Sequence, residues 1–324
     1  MSKVILQPAG DGAAKAHYVD TIQNFVPLAD IQTFVSADVF GRLKSLFLDG
    51  KVAVWGVTPG EKEINRHKWE KVQSGDVVLF SRNKFIFASA TVAFTTHNKE
   101  LALHLWKNND KGNTWEYIYF LDEVEEQRIP YSKFNAVAGY KENFVIQGFN
   151  VLDENKSNNV LTSLALQSDT YYPEVSKEDY FKSISEPAVE QPLDKIRQGT
   201  VRTEQAFLRS VHFHSKTALC GICGKEYPVN FLVAAHIKKR ADCTEEERRD
   251  YQHITMPMCK FGCDDLYEKG YIFVDEGRVV LSKNKYVTSA IQAYIKEIIG
   301  NNCPYWSPKT EKYFQWHKDI HGED

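Results

Sequence analysis

Apolar positions in residues 1–46 recur three and four apart. The run V-P-L-A-D-I-Q-T-F-V-S-A-D-V-F-G-R-L-K-S-L-F carries this helical period, so the segment is expected to be mostly helical. From Val52 the period shortens. V-A-V-W-G-V-T-P, D-V-V-L-F-S, F-I-F-A-S-A-T-V-A-F and W-E-Y-I-Y-F-L are short β-rich runs, broken by polar or turn-forming segments at 59–60, 74–75, 81–84 and 108–113. Closely spaced strands with few long helices between them predict a curved sheet or small barrel over 47–168. Residues 169–201 are polar and proline-punctuated and read as a linker. In 202–324 a helix is expected near 203–214, then a cysteine-rich unit, a hairpin turning at Glu276–Gly277, the helical run S-A-I-Q-A-Y-I-K-E-I-I and an aromatic tail. The expected class is α+β.

The chain has 324 residues, 43% hydrophobic and 26% charged, enough to bury two cores. A net charge of −3 excludes a general polyanion binder, so any nucleic-acid contact must come from a local basic patch. No apolar run approaches the ~18 residues of a membrane helix. The opening M-S-K-V-I-L-Q-P lacks a signal-peptide pattern, and a reducing cytoplasm is expected from the cysteine usage.

Cys220 and Cys223 are spaced C-x-x-C, and Cys259 and Cys263 are spaced C-x-x-x-C. Four thiolates in glycine-containing knuckles close a tetrahedral Zn2+ site with no open position, which makes the site structural. Four unrelated buried cysteines are the competing reading. Cys243 and Cys303 have no partners in the pattern. Between the pairs, His236 interrupts an apolar strand and is followed by Lys238, Lys239 and Arg240, which suit a nucleic-acid backbone. Downstream, D-D-L-Y-E-K-G begins a helix on which Asp264 and Glu268, four apart, share a face. Carboxylates so placed suit Mg2+ or Mn2+.

The ordered set C-x-x-C, A-H-I, C-x-x-x-C-D-D-L-Y-E-x-G-Y-I resembles an HNH nuclease, a ββα-metal finger with a zinc knuckle, over 202–281. The resemblance implies that His236 is the general base, that Asp264 and Glu268 hold the catalytic cation, and that His253 stands at or beside the asparagine that orients the base. Three departures are visible: His253 in place of asparagine, Asp264 in place of the usual histidine, and Ala235 where many members carry a second ligand.

In the strand-rich region Trp115, Tyr117 and Tyr119 share one face of an alternating strand, and aromatic rings near loop mouths can form a slot for a flat base. The order W-G-V-T-P, W-x-x-V-x-x-G-D-V-V-L-F, F-A-S-A-T-V, L-W, W-E-Y-I-Y-F-L resembles an EVE domain of the PUA-like superfamily, to which YTH readers also belong, over 51–152. The resemblance implies a pocket for a flipped, modified base. Trp55, Trp69, Trp106, Trp115 and Tyr117 are the candidate walls, with Ser81 and Ser89 as edge contacts.

A modified-base reader joined to an HNH cutter is similar to modification-dependent restriction endonucleases. That resemblance implies cleavage of double-stranded DNA near 5-methyl- or 5-hydroxymethylcytosine, with a homodimer as one route to cutting both strands. A non-catalytic binding module and a reader of modified RNA are the alternatives.

Overall fold

The computed structural model describes residues 2–10, 12–185, 193–283 and 285–322, and for 193–202 the backbone alone. The chain divides into two compact units, Met1–Glu174 and Val175–Asp324.

The first unit is built on β1 (Val4–Pro8), β2 (Val26–Pro27), β3 (Lys51–Val57), β4 (Val77–Arg82), β5 (Phe85–His97), β6 (Tyr117–Pro130) and β7 (Asn150–Val151). They form one mixed sheet of seven strands in the order β2-β3-β6-β5-β4-β1-β7. The helices are α1 (Gly12–Tyr18), α2 (Leu28–Ile31), α3 (Ala37–Leu46), α4 (Ile64–Trp69), α5 (Lys99–Trp106), α6 (Tyr131–Ala138) and α7 (Glu154–Ser163).

One expectation is corrected at the start. The first residues are a strand, with Val4↔Val77 through Pro8↔Ser81 in parallel register with β4 and Ile5↔Val151 antiparallel to β7. Val4 and Leu6 enter the core on one face of the sheet and Ile5 enters it on the other, so all three are buried. Burial on both faces erases the alternation that would have marked the strand. The helical expectation holds for α1, α2 and α3.

β4 and β5 are joined by Asn83 and Lys84, both with positive φ (50° and 60°), the geometry of a tight two-residue hairpin. Register shifts along β5 at Ile86/Ala88, Ser89/Thr91 and Val92/Phe94 mark bulges, which bend and twist a long strand. The end strands β2 and β7 do not pair with each other among the described residues, so hydrogen bonding leaves the sheet open. Trp55, Phe80, Val92 and Tyr119 occupy one face with Tyr18 and Ile22. The other face holds two clusters, Val54, Ile118 and Phe120 with Leu43 and Leu101, and Val4, Leu6 and Leu79 with Phe134 and Val160.

The second unit opens with α8 (Lys177–Ser185) and α9 (Leu193–His212). α8 falls in the stretch expected to be linker, yet Tyr180 and Ile184 are buried with Phe207, Leu208 and Ala234. The residues at 186–192 lie outside those described. A ribbon of β8 (Thr217–Leu219) and β9 (Glu226–Pro228) follows, then β10 (Leu232–His236), α10 (Glu245–Arg249), β11 (Thr255–Cys259) and α11 (Cys263–Glu268). β12 (Ile272–Asp275) and β13 (Arg278–Leu281) pair around Glu276 and Gly277, both with positive φ, as the Glu-Gly signal predicts. α12 (Ser289–Ile298) and α13 (Glu311–His321) close the unit, and the aromatic tail thus becomes a helix burying Tyr313, Phe314 and His317.

Candidate functional site

The Cys220–Cys223 turn is a backbone-built knuckle. Gly224 N–H donates to Cys220 O (2.9 Å), and Gly221 N–H donates to Pro257 O (2.8 Å), tying the turn to β11. Cys259 ends β11 and Cys263 begins α11. The four thiol sulfurs lie within 4.8 Å of one another and all four residues are buried. Tetrahedral coordination with Zn–S bonds of about 2.3 Å asks for sulfur separations near 3.8 Å, so the set fits zinc with small inward movement. Cys259 N–H donates to Cys220 Sγ at 3.3 Å, and the Tyr294 hydroxyl of α12 sits 3.3 Å from Cys263 Sγ and 3.6 Å from Cys259 Sγ. Hydrogen bonds of this kind stabilise sulfur carrying negative charge. Cys243 and Cys303 are elsewhere: Cys243 Sγ is 3.3 Å from Lys239 O, and Cys303 Sγ is 3.8 Å from Met256 Sδ.

β10 and β11 pair antiparallel from Leu232↔Cys259 to His236↔Thr255. His236 is the last residue of β10, with its side chain 12% exposed. Its Nε2 lies 3.5 Å from Glu204 Oε1 on α9. Glu204 is 3% exposed and accepts from Arg240 Nε at both oxygens, at 2.7 and 2.6 Å. Burial pushes the imidazole down to about 4; the Glu204 charge opposes this, while Arg240 and Arg248 add to it. The ring is therefore neutral at pH 7.

Glu204 is the residue that sequence reasoning missed. A signal was present, because a glutamate three and four positions before Phe207 and Leu208 falls on the apolar face of its helix. Charge at such a position requires a buried partner.

α11 packs through buried Leu266 and Tyr267, and the Tyr267 hydroxyl donates to Ile237 O (3.1 Å). Asp264 is half-buried, and its carboxyl is raised to about 6, first by burial and then by the charges of Glu268 and Asp265. Glu268 is exposed, and Asp265 is ion-paired with Lys269. No hydrogen bond or ion pair joins Asp264 or Glu268 to His236 among the described residues; the charged groups acting on His236 are Glu204, Arg240 and Arg248. His253 does not bond to His236 either. Its Nδ1 is 2.5 Å from Asp250 Oδ1, and Asp250 Oδ2 accepts from the Tyr313 hydroxyl at 2.7 Å. Ala235 packs against the cluster that contains Leu266 and Tyr267.

The basic run is partly committed. Lys238 Nζ donates to both Glu247 oxygens (2.9 and 2.8 Å), and Arg240 is held by Glu204. Lys239 is exposed.

In the first unit the candidate pocket residues do not share one face of the sheet. Trp55 and Tyr117 are buried in one cluster, against which Trp69 packs; Trp106 and Trp115 belong to the opposite cluster. Trp55 meets Phe80 edge-on, with ring centroids at 5.1 Å, as a core residue does. Trp69 Nε1 donates to Ile118 O at 3.3 Å, and its ring is 5.3 Å from that of Tyr117, which stacks on His97. Trp106 and Trp115 flank His17 of α1, at 5.6 and 4.1 Å, and a Cβ at Gly56 would fall 2.2 Å from Trp115 O and 2.9 Å from the Trp106 ring. Ser81 is buried, with no hydrogen-bond partner for its hydroxyl among the described residues, and Ser89 accepts from Gln127 Nε2 at 3.0 Å.

No helix among the described residues is long and apolar enough to cross a membrane. No family model matches the chain, and no curated protein matches its sequence. Among solved structures, the chain is similar to the N-terminal domain of Thermococcus gammatolerans McrB bound to m5C DNA, at 16% identity and a TM-score of 0.39, covering 51% of this chain and 98% of that one.

Proposed function

We propose that the chain is a modification-dependent DNA endonuclease. Its second unit hydrolyses phosphodiester bonds by HNH-type chemistry, and its first unit reads a modified cytosine. The observation that carries the reading is the β10–β11 pair, in which His236 ends β10, followed by the carboxylate-bearing α11 and tied to it through Cys259 and Cys263 of the four-cysteine cluster.

In this reading His236, neutral at pH 7, takes a proton from water, and the oxygen attacks phosphorus in line with the departing 3′ oxygen. Asp264 and Glu268 would hold a Mg2+ or Mn2+ ion, which would supply charge stabilisation to the phosphate and the leaving oxygen. A cation there would relieve the repulsion between the two carboxylates, which after burial is the next cause of the raised Asp264 carboxyl. Lys239 is an exposed basic group for the backbone. The aromatic sheet supplies the reader, with Trp69 and Tyr117 on one face and Trp106 and Trp115 on the other as alternative walls.

A second reading, a binding module without catalysis, is favoured by one observation: no α11 carboxylate bonds to His236, which is itself nearly buried. Cleavage of matched duplexes carrying cytosine, 5-methylcytosine, 5-hydroxymethylcytosine or N6-methyladenine, with Mg2+ or Mn2+, separates the two. The nuclease reading expects cutting of a modified-cytosine duplex, lost in His236→Ala while binding survives. Binding without cutting by the unaltered chain supports the module. Competition by modified RNA in the same assay tests an RNA target.

A further inference from the structure

Helix α9 presents two nearly buried charges, Glu204 and Arg209, 3% and 5% exposed. Arg209 is accounted for by the backbone, since its terminal nitrogens donate to Leu232 O (2.6 Å) and Val229 O (2.8 Å) at the entry to β10. Glu204 is paired with side chains instead. Both of its oxygens accept from a single donor atom, Arg240 Nε, and Oε1 stands 3.5 Å from His236 Nε2.

Among the described residues His236 Nε2 is sealed from solvent and has no hydrogen-bond partner, while the side chain as a whole keeps 12% of its surface exposed. A carboxylate can only accept, so the nitrogen beside it must carry the proton. The 3.5 Å separation is long for a hydrogen bond, as is common in a site without substrate. Arg240 is gripped by Nε, its side chain is 43% exposed, and no hydrogen bond among the described residues uses its terminal nitrogens.

We infer that Glu204 is the positioning residue of this site: it keeps the proton on His236 Nε2, leaving the Nδ1 lone pair toward solvent, and it aims the Arg240 fork at an incoming phosphate. The use of that lone pair as a base rests on the proposed nuclease reading; the positioning does not. The other charged groups around the ring are Arg240, in the turn at Arg240–Asp242, and Arg248 of α10, whose carbonyl accepts from the Tyr180 hydroxyl of α8 at 2.8 Å.

The test is nitrogen NMR of the imidazole rings in the full-length protein, labelled at histidine, near pH 7. The unaltered chain should show His236 as the Nε2–H tautomer. In Glu204→Gln the amide oxygen must turn to Arg240, which can only donate, and its NH2 then faces His236. His236 should switch to the Nδ1–H tautomer, and cleavage should fall in kcat with little change in KM. Arg240→Gln should keep the tautomer, because Glu204 still faces Nε2, and raise the imidazole pKa, because a cation that opposes protonation is gone.

An Nδ1–H tautomer in the unaltered chain, or no switch in Glu204→Gln, overturns the inference. If Glu204→Gln does not fold, by its amide fingerprint, Arg240→Gln decides, and an Nδ1–H tautomer there overturns it. Absence of cleavage by the unaltered chain sinks the nuclease reading instead, and the ring spectra still decide the role of Glu204.

Discussion

Replacing Cys220 by alanine should unfold the second unit and leave the first intact. Cys220 is fully buried, and its sulfur accepts from Cys259 N–H. The cluster joins four pieces of chain: the knuckle, the end of β11, the start of α11 and, through Tyr294, α12. A structural zinc contributes about 10–16 kcal/mol of apparent free energy at pH 7. A whole domain is stable by only about 5–15 kcal/mol, so losing the ion is enough to unfold a unit of this size. Removing one of four thiolates also leaves three buried sulfurs with no cation to neutralise them. The assay is thermal unfolding followed by near-ultraviolet circular dichroism, alongside elemental analysis. The unaltered protein should carry about one zinc per chain and show a transition for the second unit that shifts down with a strong chelator. It should also weaken as pH falls, because protonated thiols release the metal. Cys220→Ala should lack both the zinc and that transition. A Cys220→Ala protein that melts like the parent, or a parent that holds no zinc, would refute the four-thiolate site.

Two further outcomes test the packing. Asp76 is fully buried, and its carboxyl is raised by burial from 3.8 to about 6, despite accepting from Lys3 N–H and Gln73 N–H. A carboxyl raised on folding binds its proton more tightly in the folded state, so its stabilising contribution is full below about pH 4 and lost as pH rises through about 6, some 3 kcal/mol in all. Urea unfolding of the first unit between pH 4 and 6 should show that decline, with Asp76→Asn flattening it; a rise in the same window is the contrary result. Tyr180 stacks on Phe207 at 4.2 Å and donates to Arg248 O at 2.8 Å. Tyr180→Phe should therefore cost about 1–2 kcal/mol and Tyr180→Ala about 3–5 kcal/mol in denaturant titrations, whereas a linker residue would cost nothing.

Local chemistry was readable without coordinates. Cysteine spacing, the Glu276–Gly277 turn and the apolar strand ending at His236 depend on neighbours a few residues away, and the structure places the four sulfurs together. The β-rich runs announced a sheet for the same reason, since alternation is a property of consecutive residues. Which strands adjoin which is a long-range matter. β1 reads as part of a helical segment because both its faces are buried, and its neighbours are more than seventy residues away. The tryptophans are all visible in sequence, yet only the sheet shows that Trp55 and Trp106 lie on opposite sides of it. α8 is polar by composition, and its two buried residues acquire meaning only against α9.

The site divides along the same line. Sequence by itself determined the candidate groups: an imidazole at the end of a strand, carboxylates on one turn of helix and four thiols in knuckles. Tertiary structure alone decided how they are wired. It set Glu204 beside His236 across a gap of more than thirty residues, and it committed Lys238 and Arg240 to carboxylates. It also turned His253 to Asp250, with no bond to His236 among the described residues. The physical reason is burial. A charged or polar group taken out of water must find its partner wherever the fold supplies one, and no local period records where that will be.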